Sequence, residues 1–486
     1  MSYISIQFCI FVVVLVILYY LLPKFQKKIL LLASACFYCL FGIKYIVFLL
    51  FVAISTFMCA KVLEYEKRKT IIFACILSNV TVWTLIKAFP WWLSVANRIL
   101  DISLLHNISS TLSIIVPIGI SYYTLQAIGY LVDVYKDKTP AEKNFATYLL
   151  FLSYFPAIVQ GPISRYNNLV PQFENIKAFD YDKTRKWLLL IIFGLIKKLV
   201  IADQLAIFAN TIFDNYDIYQ GIILYIAGIA YTIQLYMDFS GCVDICRGVS
   251  GLFGINLVDN FNTPYFARSI KDFWRRWHIS LSSWLKDYVY IPLGGSRGGK
   301  ISKYRNLIIT FLVSGIWHGQ GFTFIAWGLL QAVYQIVGEE TLRFRNYVKN
   351  LLRIEKDSFS DKFYQIVITF NLSVFSWIIF RSNSFMGMIG YFKNMFSTPA
   401  LWQLFDGSVY NYGLNRETCF IVFVNICLVF IYELMKVSKN IDVKDKILSL
   451  HGILRWSIYF MLCLNVILFG AYGTGYDLSG FLYGGF

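Results

Sequence analysis

NLIITFLVSGIWHGQGFTFIAWGLLQAVYQIVG, residues Asn306–Gly338, is an almost wholly apolar run. At about 1.5 Å of rise per residue, one helix of that length would overshoot the ~30 Å hydrocarbon core of a bilayer. Its natural break is Gly319-Gln320-Gly321, which predicts two membrane helices joined by a turn. His318 stands just before that break. An ionisable side chain at membrane depth has no water for its polar atoms, so it marks a functional-site candidate whose partner should be named. The chain has four histidines, and the partner is His278, forty residues upstream in FWRRWHISLSSWLKDYVYIPLGGSRGG (Phe273–Gly299).

Working outward, the 486 residues are 58% hydrophobic, 18% aromatic and only 15% charged, well below the roughly one quarter charged of soluble domains. The composition predicts an all-α polytopic membrane protein. Apolar runs occur at 6–22, 29–60, 70–89, 111–132, 146–160, 187–201, 221–239, 306–338, 364–381, 418–436 and 455–472. The run 29–60 is also too long for one pass and turns at Gly42-Ile43-Lys44, so about eleven to thirteen full or partial crossings are expected. The formal charge of +16 sits in short segments between these runs. That placement fits cytoplasmic loops and argues against nucleic-acid binding.

The first apolar segment has neither a basic region before it nor a small-residue cleavage site after it, so it reads as a retained anchor. Lys24, Lys27 and Lys28 hold the following loop in the cytoplasm, and Lys67-Arg68-Lys69 fit the same phase two crossings later. The ten cysteines scatter through apolar segments; Cys36/Cys39 and Cys242/Cys246 lack a second pair at metal-site spacing, so they read as packing and no metal is expected. No polar stretch is long enough for a soluble domain. The chain reads as one membrane domain, 1–486, with scaffold helices at 1–110, a core at 111–340 holding the unusual polar residues, and further helices at 341–486.

Between Lys271 and Arg305 stand eight Lys/Arg against Asp272 and Asp287, the strongest cytoplasmic signal in the chain. On one continuous helix, Trp274, Trp277, His278, Leu281, Trp284, Leu285 and Tyr288 share a face opposite Lys271, Arg275, Ser282 and Lys286. That pattern fits a helix lying in the cytoplasmic interface or dipping into the protein, and it equally fits a plain amphipathic anchor with His278 as one more interfacial ring. The glycines of Leu293–Gly299 let backbone amides approach an anion, and Arg297 can pair with phosphate, although a basic loop at a lipid headgroup fits as well. Gln126, Gln160, Gln234, Asp238, Asp244, Arg247 and Asn371 lie at membrane depth. Asp238 and Asp244 bracket Phe239-Ser240-Gly241, read as a helix break, and Arg247 reads as the ion-pair partner of Asp244. Pro117, Pro156 and Pro162 predict kinked or half-spanning helices around a cavity.

The segment FWRRWHISLSSWLKDYVYIPLGG followed by SGIWHG resembles the membrane-bound O-acyltransferases, in their bacterial alginate O-acetylation branch. QGPISRY (Gln160–Tyr166), MDFSGCVDICRG (Met237–Gly248) and NFNTPYFARSIKDFW (Asn260–Trp274) resemble the same branch in the same order, so the likeness covers roughly 110–340. Cys242 and Val243 depart from the branch's Phe-Ser-Gly-Tyr-Ser-Asp pattern, and the final FLYGGF matches its aromatic ending only loosely. The resemblance implies a helical bundle around a central tunnel. It makes His318 the essential residue and His278 the second active-site position, with Trp317, Trp274, Arg275, Arg276, Asp238, Asp244 and Arg297 as candidate substrate-binding residues. It further implies acetyl-CoA as donor substrate with no tightly bound cofactor, and a cell-envelope polysaccharide as final acceptor. An extracytoplasmic SGNH-type acetyltransferase is the implied partner, and a bacterial plasma membrane the implied location.

Acyl transfer from a thioester to a hydroxyl needs a base, convergence of both substrates and exclusion of water. A neutral buried imidazole meets the first need, and a positioned general base contributes roughly 10² to 10⁴ in rate. His318 is read as that base or as a transient acyl carrier. His278 orients the donor carbonyl, bonds the developing oxyanion or fixes the tautomer of His318. No Gly-x-Ser-x-Gly elbow is present. Two other functions fit the same features: D-alanyl transfer to teichoic acid by the same fold, and secondary transport, which also uses broken helices and polar residues at the midplane.

Overall fold

The computed structural model describes residues 2–87, 91, 93, 96, 117–439 and 442–472, and among these the protein is helical with no strand. Residues 88–89, the 110/111 boundary, 111–116 at the head of the 111–132 run and the final FLYGGF lie outside the described residues. The described residues form two compact units, one within Met1–Ile191 and Cys242–Val258, the other within Ile192–Gly241 and Asp259–Leu478.

The first unit carries α1 (Ile6–Leu21), α2 (Gln26–Cys39), α3 (Ile46–Tyr65), α4 (Lys69–Lys87), α5 (Ile120–Tyr135), α6 (Phe145–Ser153) and α7 (Tyr166–Glu174). Pro23 opens the turn between α1 and α2, which are bent by 111°. The turn expected at Gly42 is present, with Gly42 at φ +141°. Packing there is aromatic: Phe37 lies 5.6 Å from Tyr3, 5.8 Å from Phe8 and 5.9 Å from Phe155 between ring centroids. Several buried polar groups are satisfied within the protein, as a membrane interior demands. The Tyr3 hydroxyl donates to Phe155 O at 2.7 Å, and Thr56 and Tyr148 share a hydroxyl bond of 2.7 Å. Gln26 both donates to Lys177 O and accepts from Lys177 N, each at 2.8 Å.

α8 (Tyr181–Leu195) leads into the second unit, followed by a π-helical turn (Ile196–Ala202), α9 (Asp203–Phe213) and α10 (Ile222–Leu252). Next come α11 (Ile270–Arg276), α12 (Ile279–Leu285), α13 (Gly299–His318), α14 (Phe322–Glu340), α15 (Leu342–Leu351) and α16 (Phe359–Arg381). α17 (Phe385–Ser397), α18 (Arg416–Lys439), α19 (Val443–Leu448) and α20 (Gly452–Phe469) complete it. α13 and α14 are the two helices expected on either side of Gly319-Gln320-Gly321. They cross closely because of two glycines: a Cβ on Gly315 would stand 2.3 Å from Phe324 O, and one on Gly328 2.4 Å from Phe311 O. Small residues at such crossings let backbones approach where lipid supplies no hydrophobic drive.

Two expectations need correction. First, α10 runs unbroken through Phe239-Ser240-Gly241; Gly241 serves close packing instead, since a Cβ there would lie 2.7 Å from Gly194 O. Second, the His278 region is two short helices, not one. Six described helices are long and apolar enough to cross a membrane, or seven if the bent α1/α2 pair is one span, in keeping with the all-α polytopic architecture expected. The eleven to thirteen crossings included partial ones. Runs 146–160 and 187–201 fold into the nine-residue α6 and into α8 with its π-helical turn, neither of them a regular full span.

Candidate functional site: two histidines in an aromatic cage

The site begins with a break in secondary structure. Ser269 caps α11, its hydroxyl accepting from Asp272 N at 3.1 Å, and Asp272 pairs with Arg276 at 3.0 Å across one turn. The helix stops there, and His278 takes a left-handed backbone, φ +44° and ψ +54°. Such a conformation costs a non-glycine residue on the order of 1–3 kcal/mol and persists only when its surroundings enforce it. Asn260 is the enforcer: its backbone carbonyl accepts from Ile279 N at 3.0 Å and its Oδ1 from Ser280 N at 3.0 Å. Those two amides open α12 and would otherwise be orphaned donors. Asn262 N donates to Arg276 O at 2.9 Å, so the segment 260–262 is stitched along the break.

His318 arrives from the other side, as the last residue of α13. The two imidazoles are 3% and 1% exposed for His318 and His278, with ring centroids 6.5 Å apart. That separation is too long for a direct nitrogen-to-nitrogen hydrogen bond. One of the three roles open to His278, fixing the His318 tautomer by direct contact, is therefore closed. Aromatic rings surround the pair: around His318 stand Trp317 at 4.9 Å, Trp327 at 5.2 Å and Phe380 at 5.6 Å. Around His278 stand Phe239 at 4.8 Å and Trp317 at 6.1 Å. Each edge-to-face contact of this kind is worth about 0.5–1.5 kcal/mol beyond its buried area. Burial pushes the His278 imidazole down to about 3, so it is neutral at physiological pH.

Other expected residues separate into those at the cage and those elsewhere. Trp317 touches both imidazoles, and Trp274 packs 5.8 Å from Trp327 while its indole N–H donates to Gln331 Oε1 at 3.0 Å. Arg276 is committed to Asp272 and to Thr263 Oγ1, 3.3 Å away. Arg275 and Arg297 are exposed. The glycine loop uses several of its amides internally: Gly294 N, Gly295 N and Arg297 N donate to Ile291 O, Tyr290 O and Gly294 O. Asp244 lies in the first unit and pairs with Arg247 at 3.9 Å, the ion pair expected.

Asp238, one residue before the Phe239 that faces His278, pairs with a lysine the sequence reading passed over. Lys198 is buried in the π-helical turn, bonds Asp238 and lies 2.8 Å from Asp203. Two turns of α10 around it are held further, for Tyr236 donates to the buried Glu433 and Tyr265 donates to Thr232 O at 2.7 Å. Lys197-Lys198 inside the apolar run 187–201 was the available signal, since cations at membrane depth require partners. Asn260 carried none beyond its place in a resembling motif.

The sequence model of the membrane-bound O-acyltransferase family matches residues 16–380, a stretch that contains both histidines. A Helicobacter pylori peptidoglycan O-acetyltransferase is 35% identical over 408 residues, 77% of this chain and 74% of that protein. The Pseudomonas syringae pv. tomato protein named "Probable alginate O-acetylase AlgI" is 40% identical over 295 residues, 60% of this chain and 54% of its own length. A teichoic acid D-alanyltransferase of Streptococcus thermophilus is 29% identical over 294 residues, 56% of this chain and 70% of that protein. The chain spans about half the length of the alginate relatives it matches. With a family match over more than half its residues and a helical, membrane-spanning architecture, the chain is a multi-pass membrane protein that belongs to the membrane-bound O-acyltransferase family.

Proposed function

We propose that the protein is an O-acyltransferase of a bacterial plasma membrane. It moves an acetyl group from cytoplasmic acetyl-CoA toward the hydroxyl groups of a cell-envelope polysaccharide, directly or through an extracytoplasmic SGNH-type partner transferase. The observation that carries this reading is the meeting of His278 and His318 in one water-poor aromatic cage, 6.5 Å between ring centroids. The relatives that act on peptidoglycan or alginate, at 35% and 40% identity, support an acetyl group and a glycan. The D-alanyl relative, at 29%, supports that chemistry less.

In this reading His318 takes the proton of the attacking hydroxyl, whose oxygen adds to the thioester carbonyl. The carbon–sulfur bond of the tetrahedral intermediate then breaks, and the leaving thiolate receives the proton from His318. The position of His318 helps, because the C-terminal end of α13 offers a partial negative charge to the imidazolium, worth about 0.3–1 kcal/mol. His278, neutral, bonds the developing oxyanion or orients the carbonyl. Trp317 and Trp274 wall the acyl group from water, while Arg275 and Arg297, with Asp238 and Asp244 inside the span α10, remain the substrate-binding candidates.

The test supplies radiolabelled acetyl-CoA to membranes containing the chain and follows covalent label on envelope polymer or on a partner protein. His318→Ala and His278→Ala should each lower label by at least about 10²-fold, the scale of a positioned acid–base or oxyanion contact. Undiminished label in both variants would overturn the assignment. Transport of an acetylated solute without covalent transfer would favour a carrier instead.

A further inference from the structure

Most buried polar groups in a folded protein find a partner, so those that do not call for a reason. Around the two histidines several do not. The Nδ2 of Asn260, the hydroxyls of Ser240 and Ser314 and the indole N–H of Trp327 are all buried without a hydrogen-bond partner among the described residues. Each is tied to the cage by sequence or contact. Ser240 follows the Phe239 that faces His278, Ser314 lies one turn before His318, and Trp327 packs edge-on against His318.

Asn260 is the sharpest case, being 1% exposed with two unmade donor bonds. Its carboxamide is not free to turn, because Oδ1 is held by Ser280 N at 3.0 Å. With the oxygen so fixed, the planar amide must present its NH₂ away from α12. The residue whose carbonyl and side-chain oxygens receive the two amides after His278 thus also carries a pair of N–H donors with no partner among the described residues.

We propose that Asn260 is a catalytic residue, donating Nδ2–H to the carbonyl oxygen of the acyl thioester and to the oxyanion formed when the hydroxyl adds. This rests on the acyl-transfer reading above. Two neutral donors then serve one oxygen, His278 and Asn260, and neither must be reoriented or desolvated as charge develops. No proton leaves Asn260; it stabilises the tetrahedral oxygen until the carbon–sulfur bond breaks.

Asn260→Asp tests this when read against pH, because its ionised form keeps the oxygen that receives Ser280 N and removes the donor, whereas its protonated form restores an O–H. Full-length protein in membranes is given radiolabelled acetyl-CoA with envelope polymer as acceptor, and kcat and KM are compared with wild type. We expect kcat per folded molecule to fall on the order of 10²-fold where the carboxyl is ionised, as for loss of an oxyanion-hole donor, with little change in KM. If the aspartate variant does not fold, Asn260→Ala is compared per folded molecule, counted by size-exclusion chromatography. Wild-type kcat in a folded Asn260 variant while His278→Ala is inactive would overturn the proposal and leave the acyl-transfer reading standing. Activity in both Asn260 and His278 variants, or no transfer by wild type, would overturn that reading and the proposal together.

Discussion

His278 concentrates two physical tensions in one residue. Its left-handed backbone is tolerable for histidine or asparagine and poor for a β-branched side chain. His278→Asn should therefore lose transfer while keeping a higher Tm than His278→Val. His278→Val should lose on the order of 1–3 kcal/mol of stability, read as a lower Tm of the detergent-solubilised protein. The imidazole itself makes stability depend on pH. Its proton affinity in the folded protein is down to about 3, whereas an exposed histidine titrates near ~6.5. Below about 6.5 the unfolded chain binds a proton that the folded site refuses, so His278 draws stability down as pH falls from there toward about 3. Tm measured at pH 7 and at pH 5 should fall more for wild type than for His278→Asn. An equal fall in both would show that this imidazole does not carry the dependence.

At the scale of elements, the crossing of α13 and α14 sets how His318 meets its cage. Gly328→Ala puts a methyl group 2.4 Å from Phe311 O. Neither helix can yield without shifting its partner, and such overpacking costs about 1–3 kcal/mol. The variant should show a lower Tm and, because His318 sits at the end of the displaced helix, weaker transfer; an unchanged Tm would mean the crossing has slack. This pair of helices was legible in the sequence, since glycines flanking Gln320 interrupt an apolar run that is too long. The break at His278 was not. The residues Trp274, Trp277, His278, Leu281, Trp284 and Leu285 do bury as their spacing implies. What ends α11 is a clamp from Asn260, eighteen positions earlier, which no local periodicity records. The π-helical turn at Ile196–Ala202 escaped for a similar reason: what gives it sense is the bond from Lys198 to Asp238, forty residues on. Conversely, Gly241 looked like a helix breaker and is a packing surface for α8. Glycine in an apolar helix has both uses, and only the neighbour that approaches it decides.

For the whole molecule, charge fixes which loops face the cytoplasm, and that in turn fixes how deep the histidines lie. Lys300, Lys303 and Arg305 stand in the first turns of α13, His318 at its end. At 1.5 Å per residue the helix carries His318 about 20 Å from Arg305 along its axis, past the middle of a ~30 Å core if it stands upright. The same rule orders the later spans. Arg343, Arg345, Lys349, Arg353, Lys356 and Lys362 precede or open α16, and Lys436, Lys439, Lys444 and Lys446 follow or close α18. The facing ends of the two spans and the segment between them carry only Arg381, Lys393 and Arg416, while Trp402 and Phe405 are exposed as residues of an outer interfacial belt would be. Positive charge therefore places 341–358 in the cytoplasm and 398–415 outside. Single cysteines at Lys356 and Ser408, introduced after replacing the ten native cysteines, test this with a membrane-impermeant maleimide. Ser408→Cys should label in intact cells and Lys356→Cys only after permeabilisation. The reverse pattern would invert the chain and put the entry to α13 on the outer face, where no cytosolic thioester could reach it. Labelling of both from one side would deny that α16 crosses at all.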